Sequence, residues 1–202
     1  YVDSNGDIQK LQNIYAVNNR EWADYEDIPE YLIHAAVAIE DKRFFEHQGV
    51  DWITTVKACF FMFFGNGDRG GSTITQQLAR GIFLTNEVSY ERKIKEIFIA
   101  WEMEKKYTKQ QILEYYLNTI FFANSYYGIG AAAEGYFDTD LDQLSVSEVA
   151  FLCAIPNSPS KYDPIVNYDN TIARRDRILS NMYEDGKIDE TTYLSALEEK
   201  II

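Results

Sequence analysis

Cysteine, histidine and proline are scarce in this sequence: its 202 residues include two, two and four of them, respectively. Cys59 and Cys153 both lie in apolar stretches without CxxC spacing, which favours buried free thiols over a disulfide or a metal site. With only His34 and His47, no transition-metal site is predicted. The sequence also lacks an initiator Met, a signal peptide and an apolar stretch long enough to span a bilayer. We therefore expect a module of a longer protein.

Basic residues are outnumbered: 19 Lys and Arg stand against 32 Asp and Glu, a net charge of −13. This balance argues against nucleic acid as a partner. The basic charge is concentrated in residues 71–111, where seven bases exceed five acids. A basic segment in an acidic chain is a candidate anion site. On charge count alone, however, a solvated helix face is the simpler explanation.

Helical signals dominate the sequence after residue 26. An acidic N-cap, an early proline and a capping-box Glu occur in residues 27–30, and capping-box patterns recur at 108–111 and 145–148. Ile94, Ile97, Phe98 and Trp101 have the spacing of an amphipathic helix. The predicted fold is therefore mainly α.

One domain of residues 1–202 suits this length. The polar residues 1–26, with an Asn5-Gly6 turn, are predicted to form an N-terminal hairpin or extended arm. Residues 58–64 are seven consecutive apolar residues. Such a run is core in most proteins, and a lipid contact if it is exposed.

Glu40 is the first candidate catalytic acid. On a helix that starts near Asp27, Glu40, Phe44 and His47 would share one face, with Asp41 beside them. A carboxylate next to aromatic rings is partly desolvated and suits a general base. A surface acid above a core Phe explains the same spacing.

Glu96 is the second candidate and ends the segment Arg92-Lys93-Ile94-Lys95-Glu96. Ion pairs with Arg92 and Lys93 within the helix, of about 0.2–0.5 kcal/mol each, would explain the pattern. However, Ser89 fits an N-cap, which places both cations near the first turn, where the helix dipole disfavours them. A bound anion would offset that repulsion.

Between the two acids lies a helix start that is unusually polar, from Gly70 to Arg80. Two glycines precede hydroxyl side chains that fit N-caps, and paired amides and an Arg follow. Amides and hydroxyls at this density suit a surface that binds sugar hydroxyls and phosphate.

Five segments resemble, in order, the motifs of the peptidoglycan glycosyltransferases of family 51. They are Glu40–Gly49 (EDxxFxxHxG), Gly71–Gln77 (GSTxTQQ), Arg92–Glu96 (RKxxE), Ile112–Asn118 (ILExYLN) and Arg174–Met182 (RRxxVLxxM, with Ile178 at the V). The resemblance extends from about Ile28 to Met182. The opening Val2–Gly6 is more similar to class A penicillin-binding proteins than to the monofunctional enzymes.

The resemblance implies a lysozyme-like helical lobe with a smaller membrane-facing lobe at about residues 50–70. It also implies polymerisation of lipid II into β-1,4-linked glycan, with inversion and release of undecaprenyl diphosphate. Glu40 would be the general base on the acceptor 4-hydroxyl, and Glu96 would lie at the donor diphosphate. The implied substrate-binding residues are Asp41, Phe44, His47, Ser72, Thr73, Gln76, Gln77, Arg80, Arg92, Lys93, Lys95, Glu114 and Asn118.

No cofactor is required on this interpretation, although the diphosphate leaves room for a divalent cation, Mg²⁺ or Mn²⁺. The implied partners are lipid II, the growing glycan, the cytoplasmic membrane surface and a fused transpeptidase domain. The implied location is the extracytoplasmic face of the cytoplasmic membrane, with an anchor outside this chain. Two alternatives stay open: a non-catalytic scaffold, and a lysozyme-like hydrolase. The hydrolase would need a protonated acid at the leaving oxygen, which three bases beside Glu96 disfavour.

Some positions depart from the family pattern or imitate other motifs. Val88 stands where some relatives have a basic residue, Ala123 where Gly is usual, and Arg80 where Lys is usual. The GxGxxG of residues 65–70 follows no strand, so no nucleotide site is predicted. The SxxK of residues 158–161 has no KTG after it and has a proline inside the required turn, so we predict a loop.

Overall fold

The computed structural model describes residues 22–63, 71–84 and 89–201. In these ranges the chain is mainly helical, as predicted, and its only bridges of β type are two isolated ones. The helices are α1 (Glu30–Glu40), α2 (Trp52–Phe63), α3 (Ile74–Phe83), α4 (Tyr90–Lys106), α5 (Lys109–Thr119), α6 (Ile129–Phe137), α7 (Val146–Ala154), α8 (Tyr168–Glu184) and α9 (Glu190–Glu198). Outside the described residues lie the first 21 residues of the arm predicted at 1–26, the GxGxxG segment, Val88 and the side chains of Cys59, Phe61 and Phe63.

Side chains at the helix starts explain where several helices begin. Capping boxes start α3, α5 and α7, at Thr73, Thr108 and Ser145, and the sequence predicts the last two. The prediction for α1 is wrong. Asp27 closes a short 3-10 turn, and α1 begins at Glu30 after Pro29 without a side-chain cap.

The core is built around α7, whose residues from Ser147 to Ala154 are all buried except Glu148. A helix that is apolar on all sides belongs in the centre of a domain. α1 and α8 pack against α7, and α9 packs against α8. α3 packs against both α4 and α5 and forms a second group of helices. Glu40, at the end of α1, lies where the two groups meet, because it contacts both α8 and α3.

α1 ends at Glu40, so the predicted common helix face of Glu40, Phe44 and His47 is wrong. Asp41 leaves helical geometry, with φ −159° and ψ 74°. Its buried carboxylate accepts a hydrogen bond from Ile74 N, at 3.0 Å, and contacts His47 Nε2 at 2.9 Å. The chain therefore turns here because Asp41 binds the start of α3 instead of continuing α1.

The predicted amphipathic helix is present as α4, but its apolar side faces outward. Phe98 and Trp101 are 58% and 46% exposed, whereas Glu96 is fully buried. The exposed side chains of α2 extend this surface, and a groove of about 680 Å³ joins the two helices. We define the apolar face as the set of exposed residues Trp52, Ile53, Val56, Phe60, Ile94, Phe98 and Trp101. Among the described helices, none is both long and apolar enough to cross a membrane.

Ala123, at the position where Gly is usual, has a left-handed backbone conformation with φ 62°. Asn124 and Ser125 continue it, at 44° and 67°. This geometry costs an alanine about 1–2 kcal/mol, and a hydrogen bond from Tyr126 N to Ala123 O, at 2.9 Å, helps to hold it. The substitution therefore keeps the glycine-type turn at an energetic cost. The SxxK segment is a turn, as predicted, with Lys161 N bonded to Ser158 O at 2.9 Å.

Candidate active site

Glu40 is almost enclosed, with 5% of its side chain exposed, and both carboxylate oxygens have a donor. Arg174 Nη2, from α8, donates to Oε1 at 2.9 Å. Gln77 Nε2, from α3, donates to Oε2 at 2.8 Å. Tyr116 Oη lies 3.4 Å from Gln77 Oε1 and contributes to the orientation of that amide. The carboxylate is thus fixed by residues of other helices.

Glu40 borders a small space lined mainly by apolar residues, among them Leu117, Phe122 and Cys153. Cys153 is a buried free thiol there, as predicted. Burial, and then the charge of Glu40, raise the pKa of Cys153 to about 12. The same two causes raise the pKa of Tyr116. Both groups therefore stay protonated at neutral pH, so neither is suited to act as a base.

Glu96 is completely buried and paired with two cations. Arg92 Nη1 donates to its Oε2 at 3.0 Å, and Lys93 Nζ contacts its Oε1. Ser89 caps α4 by accepting from Arg92 N at 3.1 Å, so both cations lie in the first turn, as predicted. One carboxylate between two cations leaves a net positive charge at a helix N-terminus, an arrangement suited to an anion.

Lys95 does not join this cluster. It pairs with Glu91 at 2.6 Å, and both side chains are more than half exposed. A role for Lys95 at the diphosphate stays a prediction.

The start of α3 connects the polar helix to the cations of α4. Lys93 Nζ donates to Ser72 Oγ at 2.8 Å and to Gln76 Oε1 at 3.3 Å. Thr73 caps α3 and donates from Oγ1 to Gly49 O at 2.6 Å. Ser72, Thr73 and Gln76 therefore position Lys93 and the helix end.

Three predicted substrate contacts from the first motif lie inside the protein. Phe44 is fully buried and packs edge-on against the His47 ring, with a centroid distance of 6.2 Å. Asp41 and His47 form a pair whose side chains are 3% and 8% exposed. The ring of Phe44 has no exposed surface in this structure, and its predicted contact with substrate stays a prediction. Asp41 and His47 hold the chain that follows Glu40 against α3.

Glu114 and Asn118 attach the N-terminal segment to α5. Glu114 accepts from Trp22 Nε1 at 3.1 Å and from Tyr25 N at 3.2 Å. Asn118 exchanges two hydrogen bonds with the backbone of Ala23, at 2.9 and 2.8 Å. These contacts are structural, and the predicted substrate roles of both residues stay predictions.

A cleft of about 930 Å³ is lined by residues of α3, α4 and α5 and of the turn after α7. Gln77, Arg80 and Arg92 contribute polar groups to its wall, and Tyr116 lies beside Gln77. The lining also includes Pro156 and neighbouring residues of the turn after α7. A cleft with two arginines suits an anionic ligand of substantial size.

The residues present do not fit a metal held by protein side chains. Glu40 and Glu96 are each engaged by cationic side chains. No group of three or more His, Cys, Asp or Glu side chains that could hold a metal occurs in residues 22–63, 71–84 and 89–201. A divalent cation carried by a diphosphate stays a prediction.

Sequence reasoning missed the role of Arg174. The residue belongs to the fifth motif, but the resemblance attaches no function to it, and its contact with Glu40 spans 134 positions. The motif itself was the available signal.

A comparison with protein-family models supplies the identity. The transglycosylase model matches residues 6–183. The chain belongs to the transglycosylase family. It is a peptidoglycan glycosyltransferase domain, which confirms the resemblance found in the five motifs.

Known relatives agree with this assignment. The transglycosylase domain is 41% identical over 96% of its length to penicillin-binding protein 1A of Rickettsia typhi, and 43% identical over 98% to penicillin-binding protein 1F of Bacillus subtilis. It spans 25% and 26% of those chains. The crystal structure of penicillin-binding protein 1A from Haemophilus influenzae superposes with a TM-score of 0.55 at 25% identity, covering 91% of this chain and 18% of that one. The predicted lysozyme-like helical fold is thereby confirmed.

Proposed function

We propose that this domain polymerises lipid II into β-1,4-linked glycan, with inversion at the anomeric carbon and release of undecaprenyl diphosphate. The observation that supports this most is the division of roles along α3. Gln77 contacts the enclosed carboxylate of Glu40, while Gln76 contacts Lys93 of the cationic cluster. A proton acceptor and an anion site therefore lie on either side of two adjacent residues.

The chemistry requires both parts. The acceptor hydroxyl must lose its proton as its oxygen attacks, and a positioned base contributes about 10²–10⁴ in rate. The leaving diphosphate needs positive charge rather than a proton. At an effective dielectric constant of about 20, an ion pair at 4 Å amounts to about 4 kcal/mol before desolvation. Arg92 and Lys93 are suited to supply this charge, and Glu96 to hold them in place.

The hydrolase alternative is less well supported. A glycosidase uses a carboxylic acid to protonate the leaving oxygen. Glu96 is fully buried, with Arg92 donating to one carboxylate oxygen and Lys93 to the other, so neither oxygen is placed to protonate a leaving group. Loss of either glutamate would have favoured a non-catalytic scaffold, and both are present.

The apolar face supports contact with a lipid surface. Seven large apolar side chains of α2 and α4 are exposed together, and scattered single residues would be the ordinary case. We infer that this face lies in the outer surface of the cytoplasmic membrane and orients the cleft towards a lipid-linked donor. The predicted small lobe at about residues 50–70 includes α2.

The proposal extends to the longer protein that contains this domain. Relatives named penicillin-binding proteins are about four times as long as this chain, which covers about a quarter of them. We infer that the parent carries a penicillin-binding transpeptidase domain and a membrane anchor, and that the glycosyltransferase lies on the extracytoplasmic side.

Incubation with labelled lipid II tests the function directly. The domain, in detergent or vesicles, is expected to convert lipid II into a ladder of polymer on a gel, and a muramidase should digest that ladder. Preformed glycan that is shortened while lipid II stays monomeric would instead establish a hydrolase.

A further inference from the structure

The ion pair between Glu40 and Arg174 compensates an unfavourable helix position. Glu40 is the last residue of α1, where the negative end of the helix dipole disfavours a carboxylate. The last turn of α1 contains no basic residue. The opposite charge comes instead from α8, at 2.9 Å, in an environment where the two side chains are 10% and 5% exposed. The cation that pairs with Glu40 therefore comes from a residue far away in sequence.

From this geometry we propose that Arg174 is a positioning residue for glycosyl transfer, which holds Oε1 of Glu40 so that Oε2 takes the proton. The inference rests on the proposed function and adds a residue and an atom to it.

The contacts of Arg174 differ from those of a structural arginine. Its Nε is buried and has no hydrogen-bond partner among the described residues. Its guanidinium carbon lies 5.0 Å from the centre of the Tyr162 ring. A buried donor left without a partner costs about 1–3 kcal/mol. Buried donors are normally paired in a side chain that only stabilises the fold. The unpaired Nε of Arg174 therefore favours a role at the Glu40 carboxylate.

The next residue, Arg175, shows what a structural arginine looks like in the same helix. It is 4% exposed, and its guanidinium is satisfied by groups from several elements. Its partners are Ser147 Oγ, Asp176 Oδ1, Leu197 O and Glu199 O. Arg175 therefore joins α7, α8 and the C-terminal segment, whereas Arg174 contacts Glu40.

The two oxygens of Glu40 are not equivalent. Oε1 faces a guanidinium, and a charge-assisted hydrogen bond is roughly twice as strong as a neutral one. Oε2 accepts from the neutral amide of Gln77, which lines the cleft. On the proposed function the acceptor occupies this cleft, so we assign the proton to Oε2, the oxygen bonded to the cleft residue Gln77.

The proposed step balances as follows. The acceptor O–H bond breaks and its proton bonds to Oε2, while the acceptor oxygen forms a bond to the anomeric carbon. The bond from that carbon to the diphosphate breaks, and its electron pair stays on the phosphate oxygen. Glu40 becomes neutral, and Arg174 keeps Oε1 in place throughout.

The test compares Arg174→Ala and Arg174→Lys with Arg177→Ala, an exposed arginine of the same helix that loses the same charge. Initial rates of lipid II polymerisation give kcat and KM, and thermal unfolding gives the folded fraction. We expect R174A to lower kcat about 10²-fold, as a misplaced catalytic group does, with KM within about threefold of wild type. R174K keeps the positive charge but loses the planar guanidinium, so its kcat should lie between those of R174A and wild type. R177A should have the kcat of wild type.

Four outcomes separate the inference from its alternatives. An R174A protein that is folded and keeps kcat within about threefold of wild type overturns it. So does a loss of rate no larger than the loss of folded protein. If R174A does not fold, R174K decides, because a folded R174K with wild-type kcat overturns the inference as well. A wild-type domain that makes no polymer contradicts the proposed function itself, before any variant is measured.

Discussion

Gln76 and Gln77 are neighbours on α3, yet their amides turn to different carboxylate centres. Gln77 Nε2 donates to Glu40 Oε2 at 2.8 Å. Gln76 Oε1 accepts from Lys93 Nζ at 3.3 Å, and Lys93 is paired with Glu96. Because adjacent helix residues point about 100° apart, one turn of α3 fixes the base and the anion site relative to each other.

The first prediction concerns the base. Glu40→Gln should lower the rate of lipid II polymerisation by about 10²–10⁴, because the amide keeps the shape of the side chain but cannot accept the proton. Thermal unfolding should show a folded protein. Glu46→Gln, an exposed acid of the same motif, is the matched control and should keep wild-type activity. An E40Q protein that polymerises within a few-fold of wild type would remove Glu40 from the role of base.

The second prediction concerns the cations. Lys93→Ala should weaken use of the donor, because positive charge at the diphosphate is lost. It should also lower the free energy of unfolding by about 1–3 kcal/mol, since the fully buried Glu96 loses the donor to Oε1. This stability loss is larger than the sequence suggested, because the sequence could not show that Glu96 is buried.

Two comparisons in urea unfolding check this explanation. Lys95→Ala, which breaks only the exposed pair with Glu91, should change stability by less than about 1 kcal/mol. The double variant Lys93→Ala with Glu96→Gln should regain part of the loss, since a neutral amide costs less to bury without the Lys93 donor than a carboxylate does. Equal losses in K93A and K95A would show that burial of Glu96 does not matter.

Local patterns were predicted well because their causes are local. Ser89 as a cap, and Arg92 and Lys93 next to Glu96, follow from spacings of three and four residues, which a helix fixes. The capping boxes at Thr108 and Ser145 follow for the same reason. The family could be read from the order of the motifs.

Tertiary contacts account for what the sequence could not provide. α1 ends at Glu40 because Asp41 binds α3, a residue pair 33 positions apart. Arg174 reaches Glu40 across 134 positions. Periodicity identified α4 as amphipathic, but the spacing of apolar residues does not say whether the apolar side meets a core or a membrane. In α4 the buried side is occupied by Glu96, so the apolar side chains lie on the exposed side.

The third prediction explains a glycine of the first motif. Gly49 has φ +81°, and a Cβ there would lie 2.9 Å from Ala100 C and O. Gly49→Ala should therefore lower the free energy of unfolding by more than about 2 kcal/mol, from left-handed strain of about 1–2 kcal/mol and the clash with backbone. Gly81→Ala, in α3 with nothing within 4 Å of the added Cβ, should raise it by about 0.5–1 kcal/mol. Chemical denaturation of both variants checks this, and a tolerated G49A would contradict the placement of α4 against this turn.

The fourth prediction concerns pH. Burial alone would raise the pKa of Asp51, but hydrogen bonds from Arg43 and Thr54 outweigh it and hold the pKa below its ordinary 3.8. Such a group stabilises the fold above its unfolded pKa, and this stabilisation is lost as the pH falls through its folded pKa. Asp51→Asn should cost about 1–3 kcal/mol at pH 7, and the gap to wild type should narrow below about pH 4.

Asp185→Asn is the control for that experiment. Asp185 pairs with Lys42, whose side chain is 60% exposed, so its loss should cost less than about 1 kcal/mol. Urea unfolding at pH 7, 5 and 3 gives the free energies. A D51N deficit that is the same at all three pH values would show that the Asp51 charge contributes nothing.

The last prediction concerns the apolar face. Replacing Trp52, Phe60 and Phe98 with Ser should reduce binding to vesicles by more than about tenfold, because a buried large apolar side chain contributes about 1.5–3 kcal/mol. The net charge of −13 opposes anionic lipid, so binding should depend on apolar contact and persist at high salt.

Ile165→Ser with Val166→Ser is the matched control for the apolar face. These two residues are 72% and 74% exposed but lie between α7 and α8, away from α2 and α4 in sequence. Co-sedimentation with vesicles measures binding, and thermal unfolding confirms that each variant is folded. If the control variant lost as much binding as the triple variant, the contact would be non-specific. If salt removed the binding of wild type, charge rather than apolar contact would hold the domain at the membrane.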